Sequence, residues 1–87
     1  MAAKLILERM TPLFRDVFDD DELVATAGLT AQRVRGWDSL GNVRLFLEIE
    51  REFSVRFSAT EITSLKNVGQ LADLIETKIK ATPSAER

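Results

Sequence analysis

Among the side chains able to do chemistry, one hydroxyl stands out. Ser39 follows Gly36-Trp37-Asp38 and precedes Leu40-Gly41-Asn42-Val43-Arg44-Leu45-Phe46-Leu47-Glu48-Ile49-Glu50-Arg51-Glu52-Phe53. A turn signal followed by about four turns of helix-period apolar residues places this serine as an N-cap, at the positive end of a helix. The first amides of a helix lack intrahelical acceptors, and together with the macrodipole they favour a phosphate or carboxylate at that point. A hydrolytic role fails on inventory, because a serine nucleophile needs a base, usually histidine with an orienting carboxylate, and the chain has no histidine. Lys4, Lys66, Lys78 and Lys80 fall in helix ends or links, and the helix follows a loop instead of the strand of a nucleophile elbow. No glycine-rich run with a following lysine is present to cradle a nucleotide phosphate. The remaining use of an exposed serine at a helix start is modification by another enzyme, the phosphoester then lying against the free amides.

Size and composition bound what can surround this serine. With 87 residues, 45% hydrophobic and 30% charged, the chain fits one small domain, residues 1–80, and leaves no room for a second. Residues 81–87 lack an apolar face and are expected to be disordered. Cysteine is absent, so neither a disulfide nor a zinc site can staple the fold, and stability must come from helix packing. The formal charge of −2 argues against nucleic acid as a partner. No apolar stretch approaches the roughly 20 residues that span a bilayer, and Met1 to Glu8 has no long hydrophobic region. The expectation is a soluble, cytoplasmic monomer without stable membrane insertion.

The elements that must position Ser39 follow from periodicity. Ile6, Leu7, Met10, Leu13, Phe14, Val17 and Phe18 recur at helical spacing from Lys4 to Phe18. Pro12 interrupts them, which predicts either a kink or a fresh start with Thr11 as N-cap. Asp19-Asp20-Asp21-Glu22 puts negative charge where the macrodipole disfavours it and helps stop this helix. The run lacks the spaced ligands and central glycine of a calcium loop. Leu23 to Arg35 reads as a long connection pinned over the bundle by Leu23, Val24, Leu29 and Val34, with Gly28 and Gly36 marking unusual backbone angles. After the Ser39 helix, Val55 and Phe57 plug the core from an extended link. Ser58 then caps a short helix from about Ala59 to Leu65 that turns Ile62 and Leu65 inward, and Asn67 caps a last helix carrying Val68, Leu71, Ala72, Leu74, Ile75 and Ile79. Gly69 in its first turn costs little. The sum is an all-α antiparallel-type bundle of three longer helices and one short one, with a long loop between helices 1 and 2.

On a helical wheel, Leu40, Val43, Leu45, Phe46, Leu47, Ile49 and Phe53 sweep more than half of the circumference. That is more than a surface helix needs, so part of the arc is predicted to stay open for a partner. Arg44 and Arg51 stand one turn from Leu40 and Leu47, and Glu50 falls near Val43. Hydrophobic anchors with flanking charges suit a docking face, and ordinary solvated positions would give the same pattern.

The Gly36-Trp37-Asp38-Ser39-Leu40 motif, the acidic-apolar helix after it, Val55-Arg56-Phe57 and the Asn67-Val68 helix together resemble the acyl carrier proteins over about residues 4–80. The resemblance implies an acyl-carrier-like four-helix bundle. It also implies that a phosphopantetheinyl transferase moves the 4'-phosphopantetheine arm of coenzyme A onto Ser39. The thiol of the arm would then hold acyl groups as thioesters, which suits a chain that has no thiol of its own. By the same resemblance Asp38, Trp37 and Leu40 flank the attachment site. Asp38 either caps the helix or helps place the transferase's metal and the coenzyme A phosphate. Trp37 either packs in the bundle or lies beside the arm. Leu40, Val43 and Leu47, with Arg44, Glu50 and Arg51, would form the partner face. The implied partners are acyl-ACP synthetases or acyltransferases, ketosynthases and other acyl-chain-processing enzymes. No catalysis by the chain itself is implied.

Gly41, Arg44 and Arg51 depart from the acidic second helix of a housekeeping fatty-acid carrier, and basic patches on general partner enzymes would meet a weaker or reversed field here. The expectation is a dedicated carrier in fatty-acid, polyketide-like or lipid-modifying biosynthesis. An amino-acyl carrier, for example of D-alanine, and an unloaded carrier-like structural or regulatory subunit remain the alternatives.

Overall fold

A computed structural model describes residues 3–81, which form four α-helices and one 3-10 turn. Helix α1 spans Ala3–Phe18, α2 Ser39–Phe53, α3 Ala59–Ser64 and α4 Val68–Ala81. The core forms where the apolar stripe of α1 (Ile6, Met10 and Phe14) meets Leu45 and Ile49 of α2 and Val68, Leu71, Ala72 and Ile75 of α4. Ile6, Met10, Phe14, Leu45, Ile49, Val68 and Ile75 are sealed from solvent, and burying one such large aliphatic or aromatic side chain contributes about 1.5–3 kcal/mol. Helix α1 is thus the common partner of α2 and α4. Ala81 ends α4 and does not begin a tail; residues 82–87, expected to be disordered, lie outside the described residues.

Helix α1 runs through Pro12 without a break, so Thr11 is no N-cap. Its hydroxyl donates to the Leu7 carbonyl at 3.2 Å and accepts the Ala25 N–H at 3.1 Å. Pro12 faces solvent, where water can serve the Glu8 carbonyl that loses its helical donor. The helix stops by geometry as well as by charge. Asp19 takes a left-handed φ of 52°, and the Asp20 N–H reaches back to the Arg15 carbonyl at 3.1 Å. Helix α2 ends in the same way, with Ser54 at φ 55° and the Val55 N–H on the Glu50 carbonyl, a left-handed stop built without glycine.

The long connection is more ordered than its composition suggests. Residues Ala31–Arg33 form a 3-10 turn. Val34 is buried and Leu23 and Leu29 are half-buried, as expected, but Val24 is half-exposed and the small Ala25 takes the interior place. The loop is tied to the start of α4 by main-chain bonds, Val68 N–H to Leu29 carbonyl at 2.9 Å and Gly69 N–H to Ala27 carbonyl at 2.8 Å. Gly69 is therefore a contact residue: a Cβ there would lie 2.9 Å from the Ala27 oxygen and 3.0 Å from its Cβ. Of the two loop glycines expected at unusual angles, Gly36 adopts φ 89° and Gly28 does not adopt a positive φ.

Helix α3 is held chiefly at its ends. Ser58 and Glu61 form a reciprocal capping box at 3.1 and 2.9 Å, and Lys78 reaches Glu61 at 3.0 Å. Phe57 sets its ring edge-on to Phe46, centroids 5.1 Å apart. Asn67 starts α4 by accepting the Gln70 N–H at 2.8 Å.

Two outcomes test this packing. Gly69→Ala gains about 1 kcal/mol of helix propensity but drives a Cβ into backbone. A net destabilisation of about 1–2 kcal/mol in urea unfolding is expected, and a stabilised variant would contradict the close approach. The Glu61 carboxyl is held below the usual glutamate range, first by the Ser58 N–H and then by Lys78. A lowered folded-state pKa gives stability that is present above the unfolded value and is lost as pH falls through the folded one. A carboxyl-detected NMR titration should find Glu61 titrating below the ordinary glutamate value, and Lys78→Gln should raise it only part of the way.

Candidate functional site

The start of α2 is fixed by Asp38 and not by Ser39. Asp38 has extended backbone, and its Oδ1 accepts the Gly41 N–H at 2.9 Å, while its carbonyl accepts the Asn42 N–H at 2.8 Å. The serine expected as N-cap is instead the first helical residue. A carboxylate reaches the third amide as readily as a hydroxyl does and complements the dipole better, so Asp38 wins the capping position. Ser39 is exposed, and its hydroxyl has no hydrogen-bond partner among the described residues. The Ser39 and Leu40 N–H groups likewise meet no acceptor there, which leaves donors beside the hydroxyl.

Gly41 makes this turn possible. A Cβ at this buried position would collide with the Gly36 carbonyl oxygen and lie 3.0 Å from the Phe18 ring. The incoming loop therefore lies directly on the first turn of α2. Trp37 anchors it from the other side. Its half-buried ring meets Phe14 edge-on at 5.4 Å and Phe18 at 5.5 Å, and its Nε1–H donates to Asn42 Oδ1 at 2.9 Å. Of the two roles expected for Trp37, packing is realised, and the ring also walls the space nearby.

That space is a cavity of about 90 Å³ lined by Trp37, Asn42, Phe46, Ile62, Leu65 and Leu71 together with Ala31, Lys66 and Asn67. A shallow depression along Ala31, Trp37, Asp38, Ser39 and Asn42 adjoins it, the two sharing Ala31, Trp37 and Asn42. Asn42 is the site residue that the periodicity reading missed. A signal was present: on the wheel it falls inside the buried arc between Ile49 and Phe53, where a polar side chain needs a partner.

The remaining predicted residues separate into two groups. Leu40 (69% exposed), Val43 (56%) and Leu47 (53%) stand open on α2, with Arg44 and Arg51 also exposed. Glu50, expected as the acidic anchor of that face, is half-buried, and its Oε2 accepts the Phe57 N–H at 2.9 Å. It holds the link to α3.

Residues 36–75 match the family described as the phosphopantetheine attachment site. The chain is also similar to the solution NMR structure of a holo acyl carrier protein from Geobacter metallireducens. The two share 41% identity over 86% of each chain, with a TM-score of 0.81. The chain belongs to the acyl carrier protein family. Carriers of this kind hold a covalent 4'-phosphopantetheine, and this carrier presents fitting groups: an unbonded hydroxyl, adjacent free amides, and a depression adjoining an apolar cavity.

Asp38→Ala should cost about 1 kcal/mol through loss of the cap, and Asp38→Asn, which keeps the acceptor, a few tenths. Amide exchange of Gly41 should accelerate in the alanine variant; unchanged exchange would mean that the cap is not the stop.

Proposed function

We propose that Ser39 carries the arm and that this carrier holds acyl intermediates for the enzymes of a dedicated fatty-acid, polyketide-like or lipid-modifying pathway. The observation that carries the reading is the free Ser39 hydroxyl on the first turn of α2, beside donors and a cavity, in a chain without cysteine. The arm, when attached, supplies the thiol on which an acyl group rides as a thioester.

The chain's own residues do the rest. The Ser39 oxygen forms the phosphoester, and the free amides of Ser39 and Leu40 with the positive end of α2 stabilise its negative charge. Asp38, exposed and placed one residue before, favours the helix start, and we assign it to the transferase's metal during loading. Trp37, Phe46, Ile62, Leu65 and Leu71 offer an apolar wall to a cargo that turns inward, while the Asn42 amide holds the indole in place. Among the described residues no side chain hydrogen-bonds the Ser39 hydroxyl, and chemistry on the cargo belongs to partner enzymes. Those partners are a phosphopantetheinyl transferase and then acyl-ACP synthetases or acyltransferases, ketosynthases and related enzymes, seated on the open α2 face of Leu40, Val43, Arg44, Leu47 and Arg51. No described helix is long and apolar enough to cross a membrane; a cytoplasmic location is part of the proposal.

Intact-mass analysis after co-expression with a promiscuous phosphopantetheinyl transferase tests the reading. One arm should be added, and Ser39→Ala should abolish the addition completely with no loss of helicity. A chain that stays unmodified, or an alanine variant that is still loaded, would overturn it.

A further inference from the structure

The four acids around the open face of α2 are all engaged within the molecule. Asp38 caps Gly41, Glu50 holds the Phe57 N–H, Glu52 pairs with Arg9 at 2.8 Å, and Glu48 lies 3.6 Å from Arg51. Arginines before, along and after α2 are placed differently. Arg33, Arg35, Arg44 and Arg56 are exposed and have no side-chain partner among the described residues. Arg51 keeps 76% of its side chain in solvent despite its contact with Glu48. At 100° per residue, Leu40, Arg44, Leu47 and Arg51 fall within about 60° of arc, directly opposite the sealed Ile49. The outermost line of α2 therefore alternates leucine and arginine from the end bearing Ser39 downward. Arg51 and Arg56 flank Leu47 in one open depression together with Val55. Meanwhile five of the 14 acids lie between Asp16 and Glu22, in α1 and the turn after it, so the net charge of −2 conceals a basic face.

We infer that the enzyme receiving this carrier's cargo docks α2 on a surface with an apolar centre and acidic margins. An ion pair across such a rim gives orientation and encounter rate more than affinity, and a partner with a basic margin would meet like charge at three points, Arg44, Arg51 and Arg56. An anionic lipid surface also attracts arginines, but about 1 kcal/mol per basic residue with three exposed apolar side chains gives only marginal adsorption. A face that shares its helix with the exposed Ser39 hydroxyl is better placed to meet an enzyme. The inference rests on the carrier reading above.

A charge swap tests it. Wild-type carrier and the Arg44→Glu/Arg51→Glu/Arg56→Glu variant are first shown by intact mass to bear the arm, then acylated. Each is offered to a ketosynthase with a basic carrier-docking patch and to the same ketosynthase with that patch changed to glutamate. Wild type should be used with a kcat/KM at least about tenfold higher by the glutamate-patch enzyme. The difference should lie in KM, should shrink between about 50 and about 500 mM salt, and should reverse for the triple variant. If that variant fails to fold by circular dichroism, Arg44→Gln/Arg51→Gln should still lower the preference several-fold. Equal use of both enzymes, or preference of wild type for the basic one, overturns the inference and leaves the carrier reading standing. An absent arm sinks both. Arginine-dependent retention on vesicles of equal parts phosphatidylglycerol and phosphatidylcholine at about 150 mM salt would assign the face to lipid and likewise overturn it.

Discussion

The hydrogen bond from the Gly41 amide to the Asp38 carboxylate decides where α2 begins, and the rest of the site follows from that register. Had Ser39 capped the helix, its oxygen would be occupied by an amide and turned toward the helix axis. With the cap placed one residue earlier, the serine becomes the first helical residue and its hydroxyl points into solvent. The accessibility of the Ser39 hydroxyl is thus a property of its neighbour. The same bond requires the chain to fold back tightly, which brings the Gly36 carbonyl onto Gly41 and leaves no room for a side chain there.

Two kinds of stability meet at this point. Helices α1, α2 and α4 share a sealed core, whereas α3 contributes no fully buried residue and is held by its capping box, Lys78 and the half-buried Ile62 and Leu65. Few buried apolar contacts mean a low local cost of opening. The cavity behind Trp37 and Asn42 has α3 as one wall, so the element that is cheapest to displace borders that space. Trp37 braces the opposite wall through Phe14 and Phe18, which belong to the rigid part of the bundle.

Charge is distributed by use as well as by number. Glu50 and Glu52 look like surface acids in the sequence, yet one fastens the link to α3 and the other bridges to Arg9, whose guanidinium also lies 4.6 Å over the Phe53 ring. An acid paired with a cation, as Glu52 is with Arg9, contributes less to the outer field than an arginine that faces water. A formal charge summed along the chain cannot distinguish the two.

Local pattern was enough to determine the helices. Spacing of Ile6, Met10 and Phe14, of Leu45 and Ile49, and of Val68, Leu71 and Ile75 specifies which faces turn inward, because burial of an amphipathic stripe admits one rotation of each helix. The Ser58 and Asn67 caps, the left-open Leu40–Val43–Leu47 margin and the motif around Ser39 were legible for the same reason: each depends on residues within a turn or two of one another. Only the tertiary structure decided what depends on distant partners. Thr11 serves Ala25 and not a helix start, Gly69 admits the Ala27 backbone, Trp37 finds Asn42 and two phenylalanines of α1, and Glu50 holds the Phe57 amide. Competition for a single acceptor or a single gap is settled by whichever group the folded chain delivers there, and sequence spacing does not carry that information.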